Sequence, residues 1–420
     1  RRQRQMCIRD SPNKEGTAAS HGAPLGSDEI ALTRDSLNWP YEPFIIPTEV
    51  LEEWRSIGSR NSDVQKAWSN RLNNSEKSIS TAFTSSIDAK INNSVTEALK
   101  NYEAKLIDEK PNVATRVASQ KTLEVLTPLI PELVGGSADL TGSNNTKTES
   151  SKVITSKNFL GNYIHYGVRE HAMAGVMNGI ALYGGLIPFG GTFLIFSDYL
   201  KPAMRLSALM KLRVIYIFSH DSIGLGEDGP THQPIEQLTG LRAIPNLNVF
   251  RPADINETFE CWEIALKSEN TPSAIALSRQ KVPYINPSNS KENKCEKGAY
   301  VVNLTSHESN VTLVASGTEV ELALKVQDKL KENNIHSKVV SMPCMELFDK
   351  QPEDYRKDIL EENSLIVTLE AGSVMSWQKY IKNKGANLGI DKFGESAPYT
   401  EVYKHFKLSE EDITNFIQKK

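Results

Sequence analysis

Three runs of strand length, VIYIF at 214–218, LNVF at 247–250 and SAIAL at 273–277, are apolar almost throughout. A strand with one wet face alternates apolar and polar residues, whereas one that is apolar on both sides of its pleat is covered on both faces. Because helix-like patterns separate these runs, residues 111 to about 286 are expected to form a parallel sheet covered by helices, an α/β unit. Ligands of such sheets collect beyond the carboxyl ends of the strands, so the loops that follow strands are where chemistry is expected.

The remainder of the 420 residues divides by texture. After a charged break, NPSNSKENKCEKG, VTLVAS leads through Gly317 and Thr318 into the helical pattern VELALKVQDKL, and KVVSM and SLIVTL follow. This predicts a second, smaller α/β domain over 296–420. From 46 to 110, Val50, Leu51, Trp54 and Ile57, then Val64, Ala67, Trp68 and Leu72, recur at helical spacing, with Thr48 as candidate N-cap and Glu49 in the first turn. That stretch reads as a helical connector. Residues 11–45, with HGAPLG and WPYEPF, are loop-like, and RRQRQMCIRD at 1–10 reads as a non-native leader.

A formal charge of -4, with 39% hydrophobic and 24% charged residues, argues against a nucleic-acid or anionic-membrane surface, so any phosphate site must be local. Cys7, Cys261, Cys295 and Cys344 form no CxxC pair and keep no company of histidines at metal-ligand spacing, so they are expected to be reduced cytosolic thiols. No apolar run reaches the roughly 18 to 20 residues of a membrane span, and the start lacks a signal-peptide core. A cytoplasmic protein without membrane or nucleic-acid partners is the expectation.

Five segments could carry chemistry. GGSADLTGSN at 135–144 is a polar, glycine-containing loop suited to an anion or to a plain turn. In YGVREHAM, Glu170 opens a helical run, where a carboxylate could simply favour the helix N-terminus. PFGGTFLIFSDY spaces Phe193, Phe196 and Tyr199 by three, as either core or a cofactor pocket. DSIGLGEDGPTHQP follows a buried strand, with His220 and His232 flanking a loop that holds Asp228 and Thr231, and Arg279 in LSRQ stands where an anion site is expected.

In succession, GGSADLTGSN, YGVREHAM, GGTFLIFSDY, HDSIGLGEDGPTHQPIE, FRPAD and ALSRQ resemble the pyrimidine-binding domain of the transketolase family. HGAPLG and WPYEPF before them, and VVSMPCMELFD and GIDKFGESAP after them, are also similar to that family. The resemblance implies a pyrimidine-binding domain over 111–290, the family's C-terminal domain over 296–420, and thiamine-diphosphate-dependent transfer of a two-carbon ketol unit from a ketose phosphate to an aldose phosphate, a reaction of the pentose phosphate pathway. It implies that Glu170 meets the aminopyrimidine ring, that Phe193, Phe196 and Tyr199 enclose it, and that Asp139 lies near the thiazolium. His220, His232 and His21 are implied at cofactor and substrate, Asp228 at a substrate hydroxyl, and Arg116, Ser143, His220 and Arg279 at the sugar phosphate. A carboxyl beside a ring nitrogen can share its proton with that ring, and the exocyclic nitrogen can then take the proton of thiazolium C2. The relatives implied as alternatives are a dihydroxyacetone synthase and the pyrimidine-domain subunit of a split transketolase.

The family binds diphosphate and a divalent metal, Mg2+ or Ca2+, through an N-terminal domain with a Gly-Asp-Gly motif, and no GDG occurs here. That domain is therefore expected to be mostly missing, with 11–45 as its remnant, and the chain alone is expected to be inactive. The complete enzyme is expected to be a homodimer whose site lies between subunits. Asp391, Phe393 and Ser396 in GIDKFGES read as a packed turn.

Overall fold

The computed structural model describes residues 9–88, 90–91, 93–285, 292–305, 309–361, 363–381 and 385–420. Cys7, most of the opening decapeptide and part of the charged break lie outside them. The chain divides into two compact units, Arg1–Thr81 and Ala82–Lys420.

In the first unit, helices Thr48–Ser59 and Ser62–Asn73 carry the expected periodicity, but Trp54, Ile57 and Val64 are exposed, and helix Ser27–Ser36 corrects the expectation that 11–45 is loop-like throughout. Its packing is polar: buried Glu29 accepts from Ser11 Oγ, from Asn13 N at 2.9 Å and from Asn13 Nδ2 at 3.0 Å. Thr48 is not the N-cap; Pro47 precedes the first helical residue and has no side-chain donor or acceptor to offer. Glu49 does lie in the first turn.

In the second unit a two-residue antiparallel ladder pairs β1 (Val113–Ala114) with β8 (Lys281–Val282). Between them lie β2 (Leu133–Ser137), β3 (Tyr163–His165), β4 (Ile187–Phe193), β5 (Ile215–Ser219), β6 (Asn248–Phe250) and β7 (Ser273–Leu277), which form one sheet in the order β3-β2-β4-β5-β7-β6. Every pairing in it is parallel. The apolar runs explain the two covered faces: Ile215 and Ile217 pack with Leu123, Leu126 and Trp262, while Tyr216 and Phe218 pack with Met173, Met177 and Leu200. The chain leaves β2 toward β3 and leaves β4 toward β5 on the other side, so the strand order reverses between β2 and β4. A crevice at such a reversal is the usual ligand position.

The second sheet comprises β9 (Tyr300–Leu304), β10 (Val311–Ala315), β11 (Ser337–Ser341), β12 (Leu365–Leu369) and β13 (Ala386–Leu388), in the order β13-β12-β10-β11-β9, with only β9 antiparallel. Arg251, fully buried, joins the two sheets: its Nε donates to Asp221 at 2.9 Å and its Nη1 donates to Glu319 and, at 2.8 Å, to the Ser316 carbonyl. A bidentate Arg242–Glu370 pair at 2.7 and 2.8 Å lies beside it. Cys261, Cys295 and Cys344 are free and buried. Among the described residues no helix is long and apolar enough to cross a membrane.

Candidate active site

The carboxyl ends of β2, β4, β5 and β7 bring most of the sequence-predicted residues into one region. Phe193 ends β4 and pairs in register with Ser219, the last residue of β5. The next residue, His220, takes φ +61, a left-handed conformation rare outside glycine, and its ring lies on Phe193 with centroids 3.7 Å apart and planes at 27°. Phe196 ends a 3-10 turn and stacks at 5.7 Å on Phe193, nearly parallel at 4°. Tyr199, in helix Ser197–Leu209, follows at 6.0 Å from Phe196, and His232 sets its edge to Phe196 at 5.7 Å and to Phe193 at 6.3 Å. The spacing of three therefore spans a strand end, a turn and a helix, and with Tyr199 65% exposed it does not build core.

Glu170 is the first residue of helix Glu170–Tyr183 and is 9% exposed. Among the described residues, no group donates a hydrogen bond to its carboxylate. It has both the helix-terminal position and the lack of a protein partner that a ring N–H would satisfy.

Arg116 and Arg279 are neighbours because the residues beside them are tied together. Thr115 N donates to Ser278 Oγ at 3.0 Å and Ser278 N donates to Thr115 Oγ1 at 2.7 Å. Arg116 donates to the Ser143 carbonyl at 2.7 Å and Arg279 to the Leu225 carbonyl at 3.1 Å, and among the described residues neither pairs with an acid. Burial, and then the Arg279 charge, lowers the pKa of Arg116, whose Nε is buried without a partner among the described residues. Two close guanidiniums with a spare donor suit a phosphate. The same charges act on His220, whose pKa is lowered to about 3, first by burial and then by Arg116, Arg279 and His232. Its imidazole is neutral in the physiological range.

Asp139 is exposed and, like His220, left-handed, with φ +64. GGSADLTGSN is not a loop throughout: Gly135 and Gly136 belong to β2, where an added Cβ would fall 2.1 Å from Phe189 Cζ and 2.3 Å from Tyr166 Cε2. Ser143 lies in the short helix Thr141–Asn144. Asp228 is exposed in the loop after β5. His21 belongs to the first unit, where it follows the turn Ala18–Ser20 and is exposed. Among the described residues, no group of three or more His, Cys, Asp or Glu side chains could hold a metal ion, and the Mg2+ or Ca2+ expected through the diphosphate-binding domain enters no step below.

Two further contributors lie in quoted motifs but were given no role in the site. Gln233 Nε2 donates to the carbonyls of Gly226 and Glu395, both at 2.9 Å, and Ser396 Oγ donates to the Glu227 carbonyl at 2.6 Å, so the C-terminal GIDKFGES segment braces the Asp228–His232 loop. Phe393 is 76% exposed, which corrects the expectation that this turn is packed.

A parallel α/β sheet with aromatic rings, a carboxylate and an arginine pair at its carboxyl edge has the layout of a ligand-binding α/β domain. Residues 111–284 match the model of the transketolase pyrimidine-binding domain, 298–409 that of the transketolase-like C-terminal domain, and 4–96 that of the transketolase thiamine-diphosphate-binding domain. A transketolase of Sinorhizobium medicae is 47% identical over 95% of this chain and 57% of its own. The transketolase structure from Leishmania mexicana is 40% identical with TM-score 0.87, covering 97% of this chain and 59% of that one. A Pichia stipitis transketolase in complex with sedoheptulose-7-phosphate is 36% identical with TM-score 0.89, covering 98% and 60%. The chain belongs to the transketolase family, and it spans roughly three fifths of the length of these relatives.

The match over 4–96 overturns the expectation that the diphosphate-binding domain is mostly missing and reduced to 11–45. It begins within the decapeptide read as a leader and runs through most of the stretch read as a connector. The expected inactivity of the chain rested on that missing domain and falls with it. No GDG lies within the matched 4–96, so that motif could not signal this part of the domain.

Proposed function

We propose that this protein is a transketolase, transferring a two-carbon ketol unit between sugar phosphates with thiamine diphosphate. The observation that carries the reading is the nearly buried, unpartnered Glu170 in the same domain as the Phe193, Phe196 and Tyr199 ring cluster. When bound, thiamine diphosphate supplies a thiazolium carbon that adds to the substrate carbonyl. Glu170 shares its carboxyl proton with a nitrogen of the aminopyrimidine ring, and the aromatic rings hold that ring by stacking and exclude water. Arg116, Arg279 and His220 meet the phosphate of the substrate, His232 exchanges hydrogen bonds with its hydroxyls, and Asp228 accepts from one of them.

Support for phosphorylated sugars over unphosphorylated ones comes from the arginine pair and the spare Arg116 Nε. The sedoheptulose-7-phosphate complex of the Pichia relative suggests a donor to try first. Exposed Val176, Leu206 and Leu209 on two adjacent helices support a homodimer, and three buried free thiols suit a reducing, cytoplasmic setting. The test is thiamine-diphosphate-dependent ketol transfer from sedoheptulose-7-phosphate to an aldose phosphate. Transfer that requires the cofactor supports the reading, and its absence with every ketose phosphate tried refutes it.

A further inference from the structure

A buried line of hydrogen bonds runs from the middle of the sheet to His220. Ser137, Asn144 and Ser219 are each fully buried. Leu140 N and Asn144 Nδ2 donate to Ser137 Oγ at 3.2 and 3.1 Å, and Ser137 Oγ donates to the Gly191 carbonyl at 3.2 Å. Ser219 Oγ lies 2.6 Å from Asn144 Oδ1 and 2.9 Å from His220 Nδ1. Gly191 must lack a side chain here, since an added Cβ would fall 2.7 Å from Thr146 Cγ2 and 3.2 Å from Asn144 Nδ2.

The direction of these bonds follows from their lengths. A separation of 2.6 Å suits O–H···O and is short for N–H···O, whereas 3.1 Å suits N–H···O. The Asn144 oxygen therefore faces Ser219 and its NH2 faces Ser137; turning the amide over would also take the Ser137 hydrogen from the Gly191 carbonyl. Ser219 spends its only hydrogen on Asn144 Oδ1, so toward His220 it can only accept. The neutral imidazole must then carry its hydrogen on Nδ1, which leaves Nε2 with a lone pair and no partner among the described residues.

We propose that Ser137, Asn144 and Ser219 act as positioning residues that hold His220 in the Nδ1–H tautomer, so that a phosphate bound by Arg116 and Arg279 enters together with one proton. The inference rests on the phosphate site described above. A lone pair on Nε2 repels the oxygens of a phosphate dianion. The contact becomes favourable when Nε2 gains a hydrogen, either on the ring or on the phosphate as P–O–H. Burial is the first cause of the ring's neutrality and the charges of Arg116, Arg279 and His232 come after it; a dianion beside the arginines offsets those charges.

The proposal is tested with 15N-histidine-labelled protein and inorganic phosphate, without cofactor or sugar. Long-range 1H–15N spectra at pH 8 are expected to show His220 with a pyrrole-type Nδ1 and a pyridine-type Nε2. Phosphate titrated by calorimetry in two buffers of different ionisation enthalpy is expected to take up about one proton per phosphate bound, with affinity falling about tenfold per pH unit above pH 8. Ser219→Ala removes the acceptor at Nδ1 and is expected to release the tautomer and lower the uptake, while Ser219→Thr, which keeps the hydroxyl, is expected to restore both. An Nε2–H tautomer in the free protein, or phosphate binding without proton uptake, overturns the proposal even if Ser219→Ala fails to fold. Failure of phosphate to bind overturns the linkage. The tautomer is read without activity, so it stands or falls apart from the ketol-transfer assignment.

Discussion

His220 lies on the ring of Phe193 at 3.7 Å between centroids, and the two residues come together because β4 and β5 end in register and His220 then turns back with positive φ. The stack removes the imidazole from water and, with the arginines, keeps it neutral. A histidine whose folded pKa is lowered from 6.5 to about 3 contributes stability that is complete above the unfolded pKa and is lost as pH falls toward 3. The His220 signal is therefore expected to show no titration between pH 8 and 5 by NMR, and Phe193→Ala, which admits water, should raise its midpoint toward the ordinary value. A midpoint near 6.5 in the unaltered protein contradicts this account.

Arg279→Ala is expected to raise the KM for a phosphorylated ketose by about 10- to 100-fold with kcat little changed, as when a charge-assisted hydrogen bond worth about 1.5–3 kcal/mol is lost from ground state and transition state alike. An unphosphorylated ketose should show no such change. Steady-state kinetics on the two donors checks it, and equal losses on both remove Arg279 from the phosphate site.

Glu260, buried between Asn256 Nδ2 at 2.8 Å and Cys295 N at 3.0 Å, has its pKa raised to about 8, chiefly by burial. A raised carboxyl favours the folded state at low pH. Its contribution is complete below the unfolded value of about 4.5 and is lost as pH rises through 8, on the order of a few kcal/mol. Thermal unfolding from pH 5 to 9 should show Tm falling with pH more steeply in the wild type than in Glu260→Gln.

Gly394→Ala is expected to disturb the loop that carries Asp228 and His232, because the added Cβ would fall 1.6 Å from Gln233 Oε1. Amide hydrogen exchange over Gly226–His232 should speed up, whereas the second sheet should keep its protection. Unchanged exchange in that loop means that the C-terminal segment does not brace it.

Much of this fold was legible because the apolar runs around Ile217, Ile275 and Leu313 have one physical use, as strands covered on both faces. The cluster at Phe193, Phe196 and His220 was legible only through the order of motifs, since spacing alone allowed a core helix. Asn144 and Ser219, 75 residues apart, are small polar residues of common type, and only the sheet register brings them together. Thr48 misled because capping propensity was read without the preceding proline. His21 could be placed by resemblance but not by periodicity, as loops such as SHGAPLG carry none.

The most direct measurement concerns Glu170. In deuterated buffer, NMR exchange of the C2 proton of thiamine diphosphate is expected to be accelerated by the wild-type protein and slowed about 100-fold or more by Glu170→Ala, with the circular dichroism spectrum unchanged. Exchange at the wild-type rate in a folded Glu170→Ala protein, or no acceleration by the wild type, would contradict the assignment of Glu170 to the pyrimidine ring.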